Sequence, residues 1–262
     1  MQPGKTTARA LAVTFCTLIL AACGGSLRTA EQMQPEKLYE RANNLLLGGD
    51  YRGAVRYYEA LEARFPFSEQ ARQGRIDIIY AYYRSRETES AIDAADQFIR
   101  ENPTHPRVDY AMYVKGLVYF ERSPNFLERW FGTDLTERPP QDVRRSFDAF
   151  ETLIQRHPNS EYSRDARQRM VFLRNRLAEY EVHVADHYLR RQAYVAAIAR
   201  ARFCIENFDG APAVQDALEI MVSAYDGLGM KDLAERSQEV YALNYPGGRP
   251  EGRDDRDWWP FW

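Results

Sequence analysis

The amino-acid sequence predicts an all-α protein made of serial helical hairpins, and three observations carry that expectation. Apolar residues recur at helical spacing through most of the chain, and no stretch alternates in the manner of a strand. Five segments of equal length repeat one pattern of a small residue, an apolar residue and a stop. Glycine- and proline-bearing breaks separate these segments from the helical stretches between them.

The five segments are 54–66, 91–103, 146–158, 197–209 and 234–246. Each starts on a small residue: Ala54, Ala91, Ser146, Ala197 or Ala234. Seven positions later stands Leu61, Phe98, Leu153, Cys204 or Tyr241. Four of the five end at proline, after Phe65, Asn102, His157 and Tyr245; the fourth in order ends Phe208-Asp209. A small residue lets a neighbouring helix approach closely, and the apolar positions line a buried stripe. Proline cannot continue a helix, and it pushes the residue before it out of helical geometry. Each segment therefore reads as the second helix of a hairpin. The first helices are 35–47, closed by Gly48-Gly49-Asp50, then 73–83, 109–121, a longer one from Ser163 to about Glu181, and 216–227, followed by Gly229. Starts 54 and 91, and again 197 and 234, lie 37 residues apart. That is close to the ~34-residue period of tetratricopeptide helix pairs. The expectation is an α-solenoid of about five tetratricopeptide-like hairpins over 35–246, with an insertion at 123–142 and a groove on one side as its functional surface.

Residues 1–22 read as a signal peptide. Lys5 and Arg9 precede an apolar run from Ala10 to Ala22, which is shorter than the ~20 residues a membrane span needs. The run ends Leu20-Ala21-Ala22-Cys23-Gly24. This resembles the bacterial lipobox, which implies acylation of Cys23 as the first mature residue, with 23–34 as a tether. Several acyl chains on one thiol hold a protein to a bilayer far better than one. Gly24 and Gly25 stand where an aspartate would imply inner-membrane retention, so the resemblance implies the outer membrane.

Lys5 and Arg9 leave with the signal segment, taking the net charge from −3 to −5. An acidic chain with mixed charges argues against nucleic acid as a partner. Of three cysteines, Cys16 leaves with the signal peptide and Cys23 is expected to carry lipid, so Cys204 has no cysteine to pair with. Its apolar helical setting predicts a small core residue. No glycine-rich phosphate loop, G-x-S-x-G elbow or paired cysteines occur, and no cofactor or enzymatic activity is expected. His183 and His187 share a helix face, but no third ligand is evident and no metal is expected.

The residues resemble the BamD family, lipoproteins of the β-barrel assembly machinery. The carrying stretches are Arg64-Phe65-Pro66-Phe67, the run 76–84 (IDIIYAYYR), Asn102-Pro103-Thr104-His105-Pro106, Asp109-Tyr110-Ala111-Met112-Tyr113 with Gly116, Phe131-Gly132, Pro158-Asn159-Ser160 and the run 171–181 (VFLRNRLAEYE). The likeness covers roughly 36–245. It implies five tetratricopeptide-like repeats on the periplasmic face of the outer membrane. It also implies binding of BamA through the C-terminal half, within a machine of further subunits, and reception of unfolded outer-membrane proteins by the N-terminal half. Arg200 matches the position of a basic residue the family uses toward BamA, and Arg202 stands beside it; the plain alternative is solvated helix-face charge.

Further candidates come from residue type. Tyr80, Tyr82, Tyr83, Tyr110, Tyr113 and Tyr119 offer apolar contact with a hydroxyl handle, suited to a substrate groove. Helical geometry puts Tyr80 and Tyr83 on one face and Tyr82 elsewhere. In the insertion, Phe126, Leu127, Trp130 and Phe131 suggest docking, with packing back onto the chain the favoured reading. The 247–262 tail is charged and ends Trp258-Trp259-Pro260-Phe261-Trp262, outside the stretches that carry the resemblance; a place at the membrane–water interface, competition for the substrate groove and a neutral tail are the open readings. Two other functions fit the repeats: an adaptor lipoprotein for another envelope process such as cell-wall synthesis, and the arm of a lytic enzyme, for which no catalytic domain has room.

Overall fold

The computed structural model describes residues 33–122 and 140–248. Among the described residues are ten helices and no strand: α1 (Pro35–Leu47), α2 (Tyr51–Arg64), α3 (Glu69–Ser85), α4 (Thr88–Glu101), α5 (Val108–Arg122), α6 (Gln141–Arg156), α7 (Ser163–Arg190), α8 (Tyr194–Asn207), α9 (Ala213–Gly227) and α10 (Lys231–Asn244). Four pairs follow the sequence periodicity: α1 with α2, α3 with α4, α7 with α8 and α9 with α10. The small residues Ala54, Ala91, Ser146 and Ala197 are fully buried, and Ala234 nearly so. Of the residues seven positions on, Leu61, Phe98, Leu153 and Cys204 are buried as well.

Two turns recur and set the repeat. Within a hairpin, the chain passes through a left-handed residue, at Gly49, Arg86, Gln192 or Gly229. The amide that follows then donates back five residues, from Asp50 to Leu45 O, Glu87 to Tyr82 O, Ala193 to Tyr188 O and Met230 to Tyr225 O. Between hairpins, the second helix stops at Phe65, Asn102, His157, Phe208 or Tyr245, all with φ near −130°. Each stop amide donates to the residue four before it, which is the seventh-position residue of the repeat. Phe208 has the same geometry as the other four although Asp209 follows it. The stop is thus a property of the packed repeat, which proline reinforces.

The described residues form two compact units, one up to Val118 and one from Tyr119 onward. In the first, α1 packs on α2, α2 on α3 and α3 on α4, and α1 also meets α3. Its core gathers Ala42, Ala54, Val55, Tyr58, Ile78 and Ala81. In the second, α6 packs on α7, α7 on α8, α8 on α9 and α9 on α10, with α7 also against α9. This contact between alternate helices is the layering of stacked helix pairs.

Several boundaries differ from the sequence reading: α3 runs Glu69–Ser85 where 73–83 was expected, and α9 starts at Ala213 where 216 was expected. The long helix ends at Arg190, not near Glu181, because neither glycine nor proline interrupts 163–190. This single helix of 28 residues accounts for the longer spacing between the third and fourth repeats. The insertion is shorter at its far end, since Gln141 and Asp142 already belong to the first turn of α6. Arg122 and Asp142 flank it and pair at 3.6 Å.

Candidate binding faces of the two units

In the first unit a polar and aromatic stripe runs along the first helices of the hairpins. Gln73, Asp77, Tyr80 and Arg84 fall within one face of α3, at successive spacings of four, three and four residues. The Asp77 carboxylate, 13% exposed, accepts from Tyr39 Oη on α1 at 2.9 Å and from Arg107 ahead of α5 at 3.3 Å. Gln73 donates to it from one turn earlier. Burial, and then the Asp77 charge, push the Tyr39 phenol up to about 12. One carboxylate therefore ties together the starts of three hairpins. Farther along, Arg84 Nη1 donates to Tyr80 Oη at 2.7 Å and lies 4.8 Å above the Tyr51 ring. Tyr51 and Tyr80 meet edge to face at 6.1 Å.

The tyrosines named from sequence divide accordingly. Tyr80 and Tyr83 are ring neighbours at 6.3 Å. Tyr110 sits beneath the Arg107 guanidinium at 5.0 Å, and Tyr113 is half-buried one turn on. Tyr82 points away, as its spacing predicts, and donates to Glu59 at 2.7 Å. Tyr119 is buried in the second unit under Arg145, so it lines no groove of the first. Tyr39, Tyr51, Asp77, Arg84 and Arg107 were not singled out from sequence. For Asp77 there was a signal: it is the one carboxylate inside the apolar run 76–83.

In the second unit the two arginines part company. Arg200 Nη1 donates to Glu181 Oε2 at 3.0 Å. Glu181 is 3% exposed, and Arg144 on α6 approaches its other oxygen at 3.9 Å. Arg200 is thus neither a free anchor nor a plain solvated charge; it compensates a buried acid. Arg202 points the other way and donates to Tyr225 Oη at 3.3 Å. Glu181 also had a signal in sequence, since it occupies the buried stripe of Leu177, Ala178 and Ala185. Cys204 is buried as expected; its Sγ contacts Ala178 O, and burial pushes the thiol up to about 12. His183 and His187 lie on α7, and no cluster of three His, Cys, Asp or Glu suited to a metal ion occurs among the described residues. No helix among the described residues is long and apolar enough to cross a membrane. Cys23, Phe126, Leu127, Trp130, Phe131 and the Trp-rich ending lie outside the described residues.

Stacked helix pairs with polar, aromatic faces define a helical-repeat protein of the tetratricopeptide type. Residues 31–240 match the family model YfiO, described as outer membrane lipoprotein. The chain belongs to this family. It is 37% identical over 226 residues to the "Outer membrane protein assembly factor BamD" of Vibrio cholerae, covering 86% of this chain and 94% of that one. It is 40% identical over 231 residues to the protein of the same name from Neisseria meningitidis serogroup A, covering 87% and 86%. The Xylella fastidiosa (strain Temecula1) protein of that name is 35% identical over 239 residues, covering 90% and 82%. Among solved structures, "Crystal structure of MamA protein" aligns with a TM-score of 0.35 and 16% identity over 81% of this chain and 92% of that one.

Proposed function

We propose that this chain is a scaffold for outer-membrane protein assembly that works by binding alone. In this reading Cys23 carries the lipid that holds it to the outer membrane, and the repeats face the periplasm. The first unit receives unfolded outer-membrane proteins, and the second unit binds BamA around Arg200 and Arg202. Family membership and the shared name of the relatives support the assembly role. The lipobox-like Leu20-Ala21-Ala22-Cys23 supports the anchor.

The observation that carries substrate reception is the α3 stripe. Tyr51, Tyr80 and Arg84 form a half-exposed platform of rings and one cation, and Arg107 over Tyr110 repeats the pairing. Aromatic side chains of an extended peptide pack on such rings, and a peptide carboxylate pairs with arginine. The preformed rings cost little entropy to order.

The test uses the mature lipidated chain in detergent and a synthetic peptide with aromatics at alternating positions and a free C-terminal carboxylate. Tyr80→Ala and Arg84→Ala each weaken binding roughly 5- to 30-fold, as for interface anchors worth about 1–2 kcal/mol. Phe67→Ala leaves it unchanged, because Phe67 is 94% exposed on the α2–α3 connection, off the stripe. Equal affinity for all three variants and the parent chain removes the stripe from the function.

A further inference from the structure

The second unit ends in an open groove among α8, α9 and α10, with a volume of 310 Å³. Ile205, Leu218, Met221, Leu233 and Val240 form its apolar lining. Arg202, Glu206 and Arg236 are its charged lining residues, two cations against one acid. On α10 the side chains of Leu233 and Val240 are 38% and 45% exposed, whereas only Ala234 and Ser237 are buried. Among the described residues no helix packs on the outer side of α10, and an uncovered face of a repeat calls for polar residues. This one presents apolar residues instead.

The segment 249–262 follows directly. Its last five residues, Trp258-Trp259-Pro260-Phe261-Trp262, hold four large aromatics. Asp254, Asp255 and Asp257 stand just before them, with Arg256 among them. We propose that this segment folds back and seats its aromatic run in the groove of its own last repeat, capping it.

Three features single out this occupant. The first is reach. From Gly248 to Trp258 the chain spans up to about 33 Å when extended. Leu233, at the far end of the groove, lies about 18 Å back along α10. The second is chemistry. The groove is at the low end of ligand-pocket sizes, ~300–1,000 Å³, which suits a few side chains and not a folded partner. Indole and phenyl rings bury large area with few torsions to fix; the three aspartates suit Arg202 and Arg236, and Arg256 suits Glu206. The third is tethering. A segment joined by a short linker sits at millimolar effective concentration, so modest contacts suffice. The cap is displaceable by a partner that offers a longer apolar segment.

Cysteine cross-linking in native membranes tests this on the full lipidated chain. Cys204 is buried and serves as a silent background. The pair Val240→Cys with Phe261→Cys places one thiol on the groove wall and one in the segment. The pair Glu235→Cys with Phe261→Cys is the comparison, because Glu235 is exposed on the same helix but does not line the groove. Under mild oxidation the groove pair closes about tenfold faster, within one chain and independently of protein density in the membrane. Replacing Trp258 and Trp259 by serine brings its rate down to that of the comparison pair. Equal rates for the two pairs overturn the proposal, and so do links formed between chains, which assign the groove to a second copy.

Discussion

Glu181 shows how one residue changes the meaning of another. Its side chain is 3% exposed and its carboxylate depends on Arg200 at 3.0 Å, with Arg144 more distant. Removing one member of a buried ion pair strands the other charge without water. Arg200 is itself 46% exposed, so solvent softens the loss. Arg200→Ala is therefore expected to lower unfolding stability by about 1–3 kcal/mol in urea titrations. Adding Glu181→Gln recovers most of it, because a neutral amide needs no counter-charge. Recovery smaller than about a third of the loss would assign the effect to lost packing of the arginine stem. The same pair governs the partner test. Co-purification of BamA reports on an interface at Arg200 only in the Glu181→Gln background, where the fold is no longer perturbed. From sequence alone Arg200 looked separable from the fold; its long side chain reaches an acid 19 residues away on another helix, and no local pattern encodes that.

At the level of the hairpin, the tight turn is what repeats most faithfully. Four turns adopt one backbone path, yet the left-handed position holds glycine twice, at Gly49 and Gly229, and Arg86 and Gln192 in the other two. Side chains with a Cβ are strained there. Gly49→Ala and Gly229→Ala should each cost about 1 kcal/mol, read as a lower midpoint of thermal unfolding, while Arg86→Gly moves the other way by up to about 1 kcal/mol. Insensitivity of the midpoint to Gly49→Ala would mean that the turn relaxes to another path. Sequence marked two of these turns through their glycines and four of the five stops through their prolines. The remaining positions adopt the same geometry because the helices on either side are already packed. Gly227 follows the same logic at a contact: a Cβ there would stand 2.5 Å from the Tyr194 ring, so the last residue of α9 admits no side chain while Tyr194 stays in place.

Across the molecule, stability is built from neighbour contacts, so it is uneven along the chain. Helix α9 buries eight of its residues, among them Leu218, Ile220 and Tyr225, whereas α10 buries two. Local opening should follow that difference. In a chain ending at Gly248, amide hydrogens of α10 are expected to exchange at least about tenfold faster than those of α9 under native conditions, a gap of about 1.4 kcal/mol. In the full chain the gap narrows when residues 249–262 occupy the groove; comparable protection of the two helices in the shortened chain would mean that α10 is stable without a cover.

The sequence by itself determined the helical class, four of the packed hairpins, the four proline-marked stops of the second helices and the burial of the small residues. Each of these is written in local spacing, which side-chain size and backbone torsion read directly. The tertiary structure decided which polar residues matter together. Asp77 gathers Tyr39 and Arg107 from two other hairpins, and Glu181 gathers Arg144 and Arg200 from two other helices. Those partnerships join residues 19 to 38 positions apart. They depend on the angles at which helices stack, and a one-dimensional period carries no information about angles.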